Sequence, residues 1–320
     1  MRAYYRFPLL FLLPSLVGFL AFNLGPILAS LLLSFISYDG LRPLTLATFR
    51  ENWVGLENYR RLLEDPVFHK AFINTLFYVG VAVPLEILVA LLLALGLNRP
   101  LPGVRLLRTL YLLPTVTSVV AVGLLWRWVL NPTVGPVNLS LRWVGERIQG
   151  VYGLLGITPP PWVGWLAKEG PGWLSDPAWA MWGVILASVW AGVGLRMLIF
   201  LAGLQNINKE YLEAASLDGA NSLQRFAYVV LPLLSPTVFL NTLLAMIGGF
   251  QMFGLVYTMT GGGPLDSTNV LMLYLYRKAF GVFPFEMGYA SAIAWVLFLI
   301  LFALTYLQWT LRKRWVVEEV

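Results

Sequence analysis

The sequence contains no cysteine and only one histidine, His69, among its 320 residues. A chain without thiols forms no disulfide, no thiolate nucleophile and no cysteine-ligated metal site. A single histidine cannot supply a metal centre built from several imidazoles. We therefore expect no metal site, and we expect His69 to be a solvated loop residue.

Signatures of nucleotide binding and of nucleophilic catalysis are also missing. No lysine is followed by serine or threonine, so the chain has no Walker A phosphate-binding loop. The one dense glycine cluster, at residues 261–263, follows an apolar window and favours a tight gating or docking turn over a phosphate cradle. No G-x-S-x-G nucleophile elbow is present. We expect no catalytic residue and no bound cofactor, so the chain is not predicted to be an enzyme.

Charged residues are scarce, at 12% of the chain, whereas hydrophobic residues make up 58%. An average soluble domain is about one quarter charged, so this composition indicates an integral membrane protein. About 20 apolar residues cross the hydrocarbon layer, and six windows reach that length: residues 9–35, 71–97, 109–130, 179–204, 229–256 and 287–311. The first is too long for a signal-peptide core, so we expect it to remain as an anchor. The predicted fold is an all-α, polytopic membrane protein with six transmembrane helices.

Basic residues in the short connections predict the orientation of these spans. Arg2 and Arg6 precede the first window, and a basic run at residues 312–314 follows the last. Both termini are therefore expected in the cytoplasm, and the net charge of +6 reflects membrane orientation rather than nucleic-acid binding. This topology places Arg105, Glu213 and Lys313 inside and the loops around Glu57, Trp165 and Gly262 outside.

A polar stretch between the fourth and fifth windows has the pattern of two short capped helices. Asn208 can cap the first, and Asp218 followed by Gly219 suits the turn that ends it. Asn221 with Gln224 three residues later forms a capping-box pattern for the second. We expect this segment to dock onto a partner protein.

The same stretch carries a motif: E-A-A, three residues, G, nine residues, then V-x-L-P, at Glu213, Ala214, Ala215, Gly219, Val229, Leu231 and Pro232. On this motif the chain resembles permease subunits of binding-protein-dependent ABC importers, where Ile is usual at the Val229 position. T-G-G-G-P at residues 260–264 and Y-L-Y-R-K-A-F at residues 274–280 resemble the maltose-type first permease subunit of carbohydrate importers. The resemblance covers about residues 11–314.

The resemblance implies a type I ABC importer permease in the cell inner membrane that forms half of a sugar pathway. Its implied partners are a second homologous permease subunit, two copies of a cytoplasmic ATP-binding subunit, an extracytoplasmic sugar-binding protein and membrane lipid. ATP and Mg would be bound by the ATPase partner. One permease domain would cover residues 1–320, with core spans at about 71–311 and a coupling loop at about 206–230. The residues implied in ATPase coupling are Glu213, Ala214, Ala215, Asp218, Gly219, Leu231 and Pro232.

Three ionisable residues fall inside the apolar windows, where an unpaired charge is costly. Arg127 lies near the end of its window between two tryptophans, which favours snorkelling to the interface. Glu86 and Arg196 lie deeper. They are expected to form a structural ion pair, to contact the partner permease or to contact the solute, and the sequence does not choose among these.

Two glycine-rich stretches are the candidate solute pathway. Residues 190–195 and 248–253 combine aromatic rings with glycines, and Gln251 adds an amide that can pair with hydroxyls. Packing of helices through small residues explains the glycines equally well. The resemblance implies that Ala191, Gly192, Leu195, Ala245, Gly248, Gly249 and Met252 occupy sugar-facing positions. The candidate pathway is completed by Trp190 and Gln251.

The loop at residues 131–178 has an amphipathic stretch at 137–148 and several tryptophans. These tryptophans suit anchoring at the membrane interface, and the alternative is a surface that meets the solute-binding protein. Two functional alternatives also stay open. The same class of importer would carry glycerol 3-phosphate or another anionic solute if Arg196 bound it, and an ion-coupled secondary transporter would need intramembrane carboxylates, of which only Glu86 is present.

Overall fold

The computed structural model describes residues 6–99, 102–281 and 283–317, so Arg2 lies outside the described residues. Within these ranges the chain is helical and has no β-strand, apart from one isolated bridge between Ile36 and Trp53. The predicted all-α, polytopic fold class is therefore confirmed.

Among the described residues, four helices are long and apolar enough to cross a membrane: Phe11–Leu33, Pro66–Leu97, Pro177–Asn206 and Met287–Trp315. Two further crossings exist only as bent pairs. Val104–Val116 and Val119–Val129 meet at 104°, and Ser222–Leu233 and Ser235–Phe250 meet at 65°. The count reaches six when each bent pair is one span. The straight runs expected at 109–130 and 229–256 are thus broken, and the latter stops at Phe250 rather than at residue 256.

The sharper bend has a local cause in the sequence. Thr117 and Ser118 adopt extended backbone, with ψ of 141° and 135°, so helical hydrogen bonding stops between the two arms. Pro114, in the last turn of the first arm, lacks an N–H to donate and weakens that turn. The helix resumes at Val119 in a new direction.

Further helices lie between these spans. They are Leu46–Glu51, Glu57–Glu64, Pro136–Leu154, Pro161–Lys168, Lys209–Leu217, Gly254–Met259 and Leu271–Tyr276. Single π-helical turns occur at Leu20–Leu24, Phe226–Val230 and Arg277–Gly281. Such turns are frequent at functional sites in helices.

The chain divides into two compact units. The first unit combines Met1–His69 with Tyr274–Ile300. Its core contains the fully buried Ile36 and Ile293, and Gly288 packs directly on the backbone of Ile36, where a Cβ would collide. The buried amide of Asn58 donates to the carbonyls of Ser34 and Ile36 at 2.9 and 3.0 Å. These contacts fix the segment that follows the first span.

The second unit combines Lys70–Leu273 with Leu301–Val320. One apolar cluster of this unit centres on Ala90, Met197, Phe200 and Leu234, all with no exposed surface. At about 25 cal/mol per Å² of apolar area, such side chains each contribute roughly 1.5–3 kcal/mol when buried in a water-soluble core. Against lipid the gain comes from close packing instead, which the small Ala90 permits.

The two helices of the 131–178 loop form a hairpin within the second unit. Gly145 lies against the backbone of Ala167, where a Cβ would collide. Asn138 is fully buried and accepts a hydrogen bond from Trp173 Nε1 at 2.7 Å. Trp179 stacks on Trp165 and meets Trp173 edge-on, with ring centroids 6.0 and 5.3 Å apart. These tryptophans hold the loop together.

Candidate functional site

The motif stretch around Glu213 forms the first of two candidate sites, and we refer to residues 208–232 as the Glu213 segment. Its first helix is Lys209–Leu217, and the Asn208 side chain accepts from the Glu210 amide at 3.1 Å. The turn after Asp218 places Gly219 at φ +83°, a left-handed backbone that disfavours other residues. The predicted cap and turn are therefore confirmed.

The second half of the Glu213 segment contains the predicted capping box. The Asn221 amide donates to Gln224 Oε1 at 2.8 Å, and the Gln224 amide donates back to Asn221 Oδ1 at 2.9 Å. Arg225 Nη1 donates to Ser216 Oγ at 2.7 Å, which ties the two halves together. The α-helical part is Ser222–Arg225, and a π-helical turn at Phe226–Val230 follows it.

The outer surface of the Glu213 segment combines apolar side chains with three exposed carboxylates, those of Glu210, Glu213 and Asp218. Leu217, Leu223 and Tyr228 are 90%, 75% and 79% exposed. Glu213 is exposed and forms no ion pair with any residue that the structure describes. A rigid, capped element with exposed apolar side chains and a free charge has the properties of a protein docking surface.

The second candidate site is a cavity of about 380 Å³ in the second unit, here called the pathway cavity. Seven of the nine candidate pathway residues line it: Ala191, Gly192, Leu195, Ala245, Gly248, Gly249 and Met252. Trp190 and Gln251 are not among its lining residues. Trp190 instead meets Trp126 edge-on with ring centroids 5.9 Å apart, and Gln251 ends the helix Ser235–Phe250.

Glu86 and Arg196 form an ion pair in the wall of the pathway cavity. Arg196 Nε lies 2.5 Å from Glu86 Oε1, and the two side chains are only 14% and 12% exposed. Arg196 Nη1 also donates to the Asn241 carbonyl, and Asn241 Nδ2 donates to the Arg196 carbonyl, both at 3.3 Å. The sequence left three roles open for Glu86 and Arg196: a structural ion pair, a contact to the partner permease and a contact to the solute. This geometry supports the structural ion pair. Arg127, the third charge, is exposed and does not line the cavity.

The glycines of the pathway cavity fall into two groups. A Cβ on Gly192 would collide with the Glu86 carboxylate, and a Cβ on Gly194 would collide with the backbone of Tyr111. A Cβ on Gly249 would lie 3.1 Å from Val79 Cγ2. Gly248 meets nothing within 4 Å and lines the cavity. Gly192 and Gly249 therefore both line the cavity and allow close packing, Gly194 allows packing outside the lining, and Gly248 leaves open space.

Hydroxyl groups in the cavity wall were missed by the sequence reading. Tyr78, Thr115, Thr117 and Ser188 all line it. The first belongs to the helix before the bend and the next two to the bend itself, so no local motif links them. Ser188 lies three residues before Ala191, on the same face of its helix. This spacing alone would have predicted that Ser188 lines the cavity together with Ala191.

The first unit holds a separate group of charged side chains around Glu286. Its carboxylate accepts from Arg61 Nη2 at 2.6 Å and from Lys278 Nζ at 2.8 Å. Burial raises the pKa of the Glu286 carboxyl, but these hydrogen bonds and positive charges outweigh it and hold the pKa below its ordinary value of 4.5. Glu286 is therefore ionised at neutral pH.

Asp65 is the second carboxylate of this group. It accepts hydrogen bonds from the hydroxyls of Tyr274 and Tyr289 and from the amides of Val67 and Phe68. Burial raises the pKa of the Asp65 carboxyl, but the four hydrogen bonds outweigh burial and hold the pKa below its ordinary value of 3.8. Tyr274 belongs to the Y-L-Y-R-K-A-F sequence, so that motif contributes to the structure of the first unit.

Comparison with known proteins places these features in context. Residues 68–316 match the family model described as "Binding-protein-dependent transport system inner membrane component". The chain is 38% identical over 315 residues to the probable ABC transporter permease protein YesP of Bacillus subtilis, covering 97% of this chain and 91% of YesP. It is 36% identical over 304 residues to the lactose transport system permease protein LacF of Rhizobium radiobacter, covering 93% and 91%.

A solved structure has a similar fold. It is a chain of a bacterial ABC transporter involved in the import of the acidic polysaccharide alginate, with a TM-score of 0.74 over 98% of this chain and 96% of that chain. Sequence identity is 22%, so the likeness concerns the fold alone.

Proposed function

This chain belongs to the family of binding-protein-dependent transport system inner membrane components, and we propose that it forms half of the translocation pathway of an ATP-driven importer of neutral saccharides. The relative LacF is named for lactose transport. The observation that carries the proposal is the pathway cavity, in which hydroxyl and apolar side chains surround a charge pair that is already neutralised.

The Glu86–Arg196 pair is the reason to propose a neutral solute. An anionic solute that used Arg196 would have to displace the Glu86 carboxylate from 2.5 Å. Leaving one partner of a buried pair uncompensated costs on the order of 3–5 kcal/mol. The solved structure with a similar fold belongs to a transporter involved in the import of an acidic polysaccharide, so the fold does not decide the charge of the solute. The residues that line the cavity are the better guide to that charge.

The size and lining of the cavity support a small saccharide. A volume of about 380 Å³ lies near the lower end of the range of about 300–1,000 Å³ for small-molecule sites. Thr115, Thr117 and Ser188 offer hydroxyls, and Val83 and Leu195 offer apolar surface. Sugars present both kinds of surface, since their ring C–H faces are apolar and their edges carry hydroxyls.

The Glu213 segment is proposed to couple this chain to a cytoplasmic ATPase. Its exposed apolar side chains would enter a cleft of the ATPase, and Glu213 would pair with a basic residue there. ATP and Mg would bind the ATPase pair and not this chain. Closure of that pair would move the Glu213 segment as a rigid body and rock the pathway between inward- and outward-facing states, together with a second permease subunit.

The proposed setting follows from the predicted topology. Both termini would lie in the cytoplasm, and the hairpin of Pro136–Leu154 and Pro161–Lys168 would lie on the outer side, near the membrane interface and the sugar-binding protein. Trp162, Leu154 and Leu155 support this placement because they are 52%, 90% and 65% exposed on that hairpin.

Co-purification and uptake test the proposal together. The chain, expressed at native level with an affinity tag, should retain a Walker-type ATPase and a second permease subunit through detergent extraction. Vesicles containing this assembly and its binding protein should accumulate a neutral saccharide only when ATP is supplied to the ATPase side. Uptake driven by an ion gradient without ATP would instead identify a secondary transporter, and preference for glycerol 3-phosphate would identify an anionic solute.

A further inference from the structure

We propose that the first unit contains a second saccharide site, separate from the pathway cavity, in a polar cavity that neither the motifs nor the ATPase coupling account for. This cavity has a volume of about 330 Å³. The residues on which the argument rests are Asp39, Arg42, Asn52, Arg61, Phe285 and Glu286, all of which line it. We call it the polar cavity.

The walls of the polar cavity are held in place by hydrogen bonds that do not involve a ligand. The Ser37 amide donates to the Asn52 carbonyl at 2.8 Å, and the Gly288 amide donates to the Tyr38 carbonyl at 3.1 Å. Asn58, only 5% exposed, is fixed by two backbone carbonyls of the segment 34–36. A cavity with such a framework is largely preformed, so a ligand would not have to order it.

The charged groups facing the polar cavity are balanced. Arg61 is paired with Glu286 at 2.6 Å, and its guanidinium lies 4.3 Å from the centroid of the Tyr289 ring. Asp39 uses one carboxylate oxygen to accept from the Leu41 amide at 3.0 Å. Arg42, which is exposed, is the second cation of the lining. Two cations and two anions favour an uncharged polar ligand over an ion.

The shapes of these groups match a sugar. Carboxylate, amide and guanidinium groups are planar and can each meet two neighbouring hydroxyls. Phe285 adds an aromatic ring, on which the apolar C–H face of a pyranose ring can lie, whereas the Tyr289 ring is 2% exposed and is covered by Arg61. The volume is near the lower limit for small-molecule sites, which fits one or two sugar rings.

The choice of a saccharide as the ligand rests on the proposed function, because a saccharide importer encounters saccharides during transport. On the predicted topology the polar cavity lies on the outer side. A site there would hold saccharide that has left the binding protein and has not yet reached the pathway cavity, and it would lower the concentration needed for half-maximal uptake.

Carboxyl footprinting on the assembled importer tests for the site directly. The complex in nanodiscs, without its binding protein, would be labelled with carbodiimide and an amine in the presence of lactose, maltose, cellobiose or raffinose. We expect at least one of these to slow the modification of Asp39 several-fold and saturably. Glu57 is the internal control, because it lies in the same unit but outside the polar cavity.

A matched pair of arginine variants adds a second measurement. Arg42→Ala removes a lining side chain but keeps the backbone carbonyl to which Tyr38 donates. Arg60→Ala removes an exposed arginine that pairs with Glu57 and does not line the cavity. We expect Arg42→Ala to weaken the protection of Asp39 and raise KM for uptake several-fold at unchanged kcat, and Arg60→Ala to change neither.

The outcomes separate this site from the proposed function. Saccharide uptake without protection of Asp39, or with equal protection of Asp39 and Glu57, would refute the second saccharide site. Either result would leave the proposed importer function unaffected. Protection of Asp39 by galacturonate but by none of the four neutral sugars would also refute the second saccharide site. Protection without ATP-driven uptake supports the site and rejects the importer.

Discussion

Arg196 and Glu86 lie on different helices, and Arg196 Nε is 2.5 Å from Glu86 Oε1. Gly192 leaves the space that the Glu86 carboxylate fills. Gly192 and Arg196 are four residues apart and so share one face of the helix Pro177–Asn206. One helix therefore supplies both the cation and the gap for its counter-ion. The pathway cavity depends on this pair for its shape and its neutrality.

Two glycine variants of the pathway cavity should behave differently. Gly192→Ala would push the Glu86 carboxylate away from Arg196, so we expect a loss of stability on the order of 1–3 kcal/mol and a lower yield of complex. Gly248→Ala meets no atom within 4 Å, so we expect normal thermal stability with a changed KM for uptake. Thermal unfolding and uptake on both variants check this. Equal stability of the two would show that the pair tolerates displacement.

Neutralising one or both members of the ion pair should separate structure from specificity. Arg196→Gln and Glu86→Gln should each lower the assembly yield, because each leaves a buried charge unpaired, without altering which solutes compete for uptake. The double variant should recover part of the yield. Competition assays with neutral sugars and phosphorylated solutes give the readout. Selective loss of phosphorylated-solute transport in Arg196→Gln would establish the anionic alternative.

Coupling to the ATPase should depend on Glu213 and Gly219. A β-branched residue in Gly219→Val would strain the turn at φ +83° by roughly 1–3 kcal/mol and misplace the capped helices. Glu213→Ala would remove the exposed charge. We expect both variants to insert normally and to hydrolyse ATP without matching uptake, whereas Gly96→Ala, at an uncrowded helical glycine, should behave as wild type. Full coupled transport by both variants would refute the docking role.

Acid should destabilise the first unit through Glu286. Its pKa is lower in the folded chain than the ordinary 4.5, so ionised Glu286 stabilises the fold above that pH, and this contribution is lost as the pH falls through the folded pKa. Melting temperatures of the detergent-solubilised complex from about pH 7 to about pH 3 measure the effect. Glu286→Gln should be less stable at neutral pH and show a shallower acid decline, and Glu57→Gln is the exposed control. Parallel pH curves for Glu286→Gln and wild type would contradict this.

Single cysteines should report the topology, since the native chain has none. The structure improves the choice of positions, because Gly262 is buried at φ +91° and Trp165 is stacked on Trp179. Leu265 and Leu154, 81% and 90% exposed, serve better. An impermeant maleimide added outside should label cysteines at 57, 154 and 265 and should spare those at 105, 213 and 313. The reverse pattern would place the Glu213 segment on the side without ATP.

The sequence predicted best those features that are decided locally. The caps at Asn208 and Asn221 and the turn at Gly219 each depend on residues within one helical turn. The pairing of Glu86 with Arg196 depends on which helices become neighbours, and hydropathy carries no such information. The glycine-rich stretches located the pathway cavity through Gly192 and Gly248. They also pointed to Trp190 and Gln251, because a stretch of sequence includes residues on every face of its helix.

The break at Thr117 and Ser118 has a further consequence for how solute moves. The arms Val104–Val116 and Val119–Val129 have 13 and 11 residues, or about 20 and about 16 Å, and neither spans a hydrocarbon layer of about 30 Å. Taken together as one span, the two arms place the bend at membrane depth, where interrupted backbone is tolerated only against protein or water. Since Thr115 and Thr117 line the pathway cavity, the interrupted backbone at the bend would face that cavity. A saccharide passing the bend would meet the hydroxyl and backbone groups there as hydrogen-bond partners and would not have to cross a wholly apolar passage.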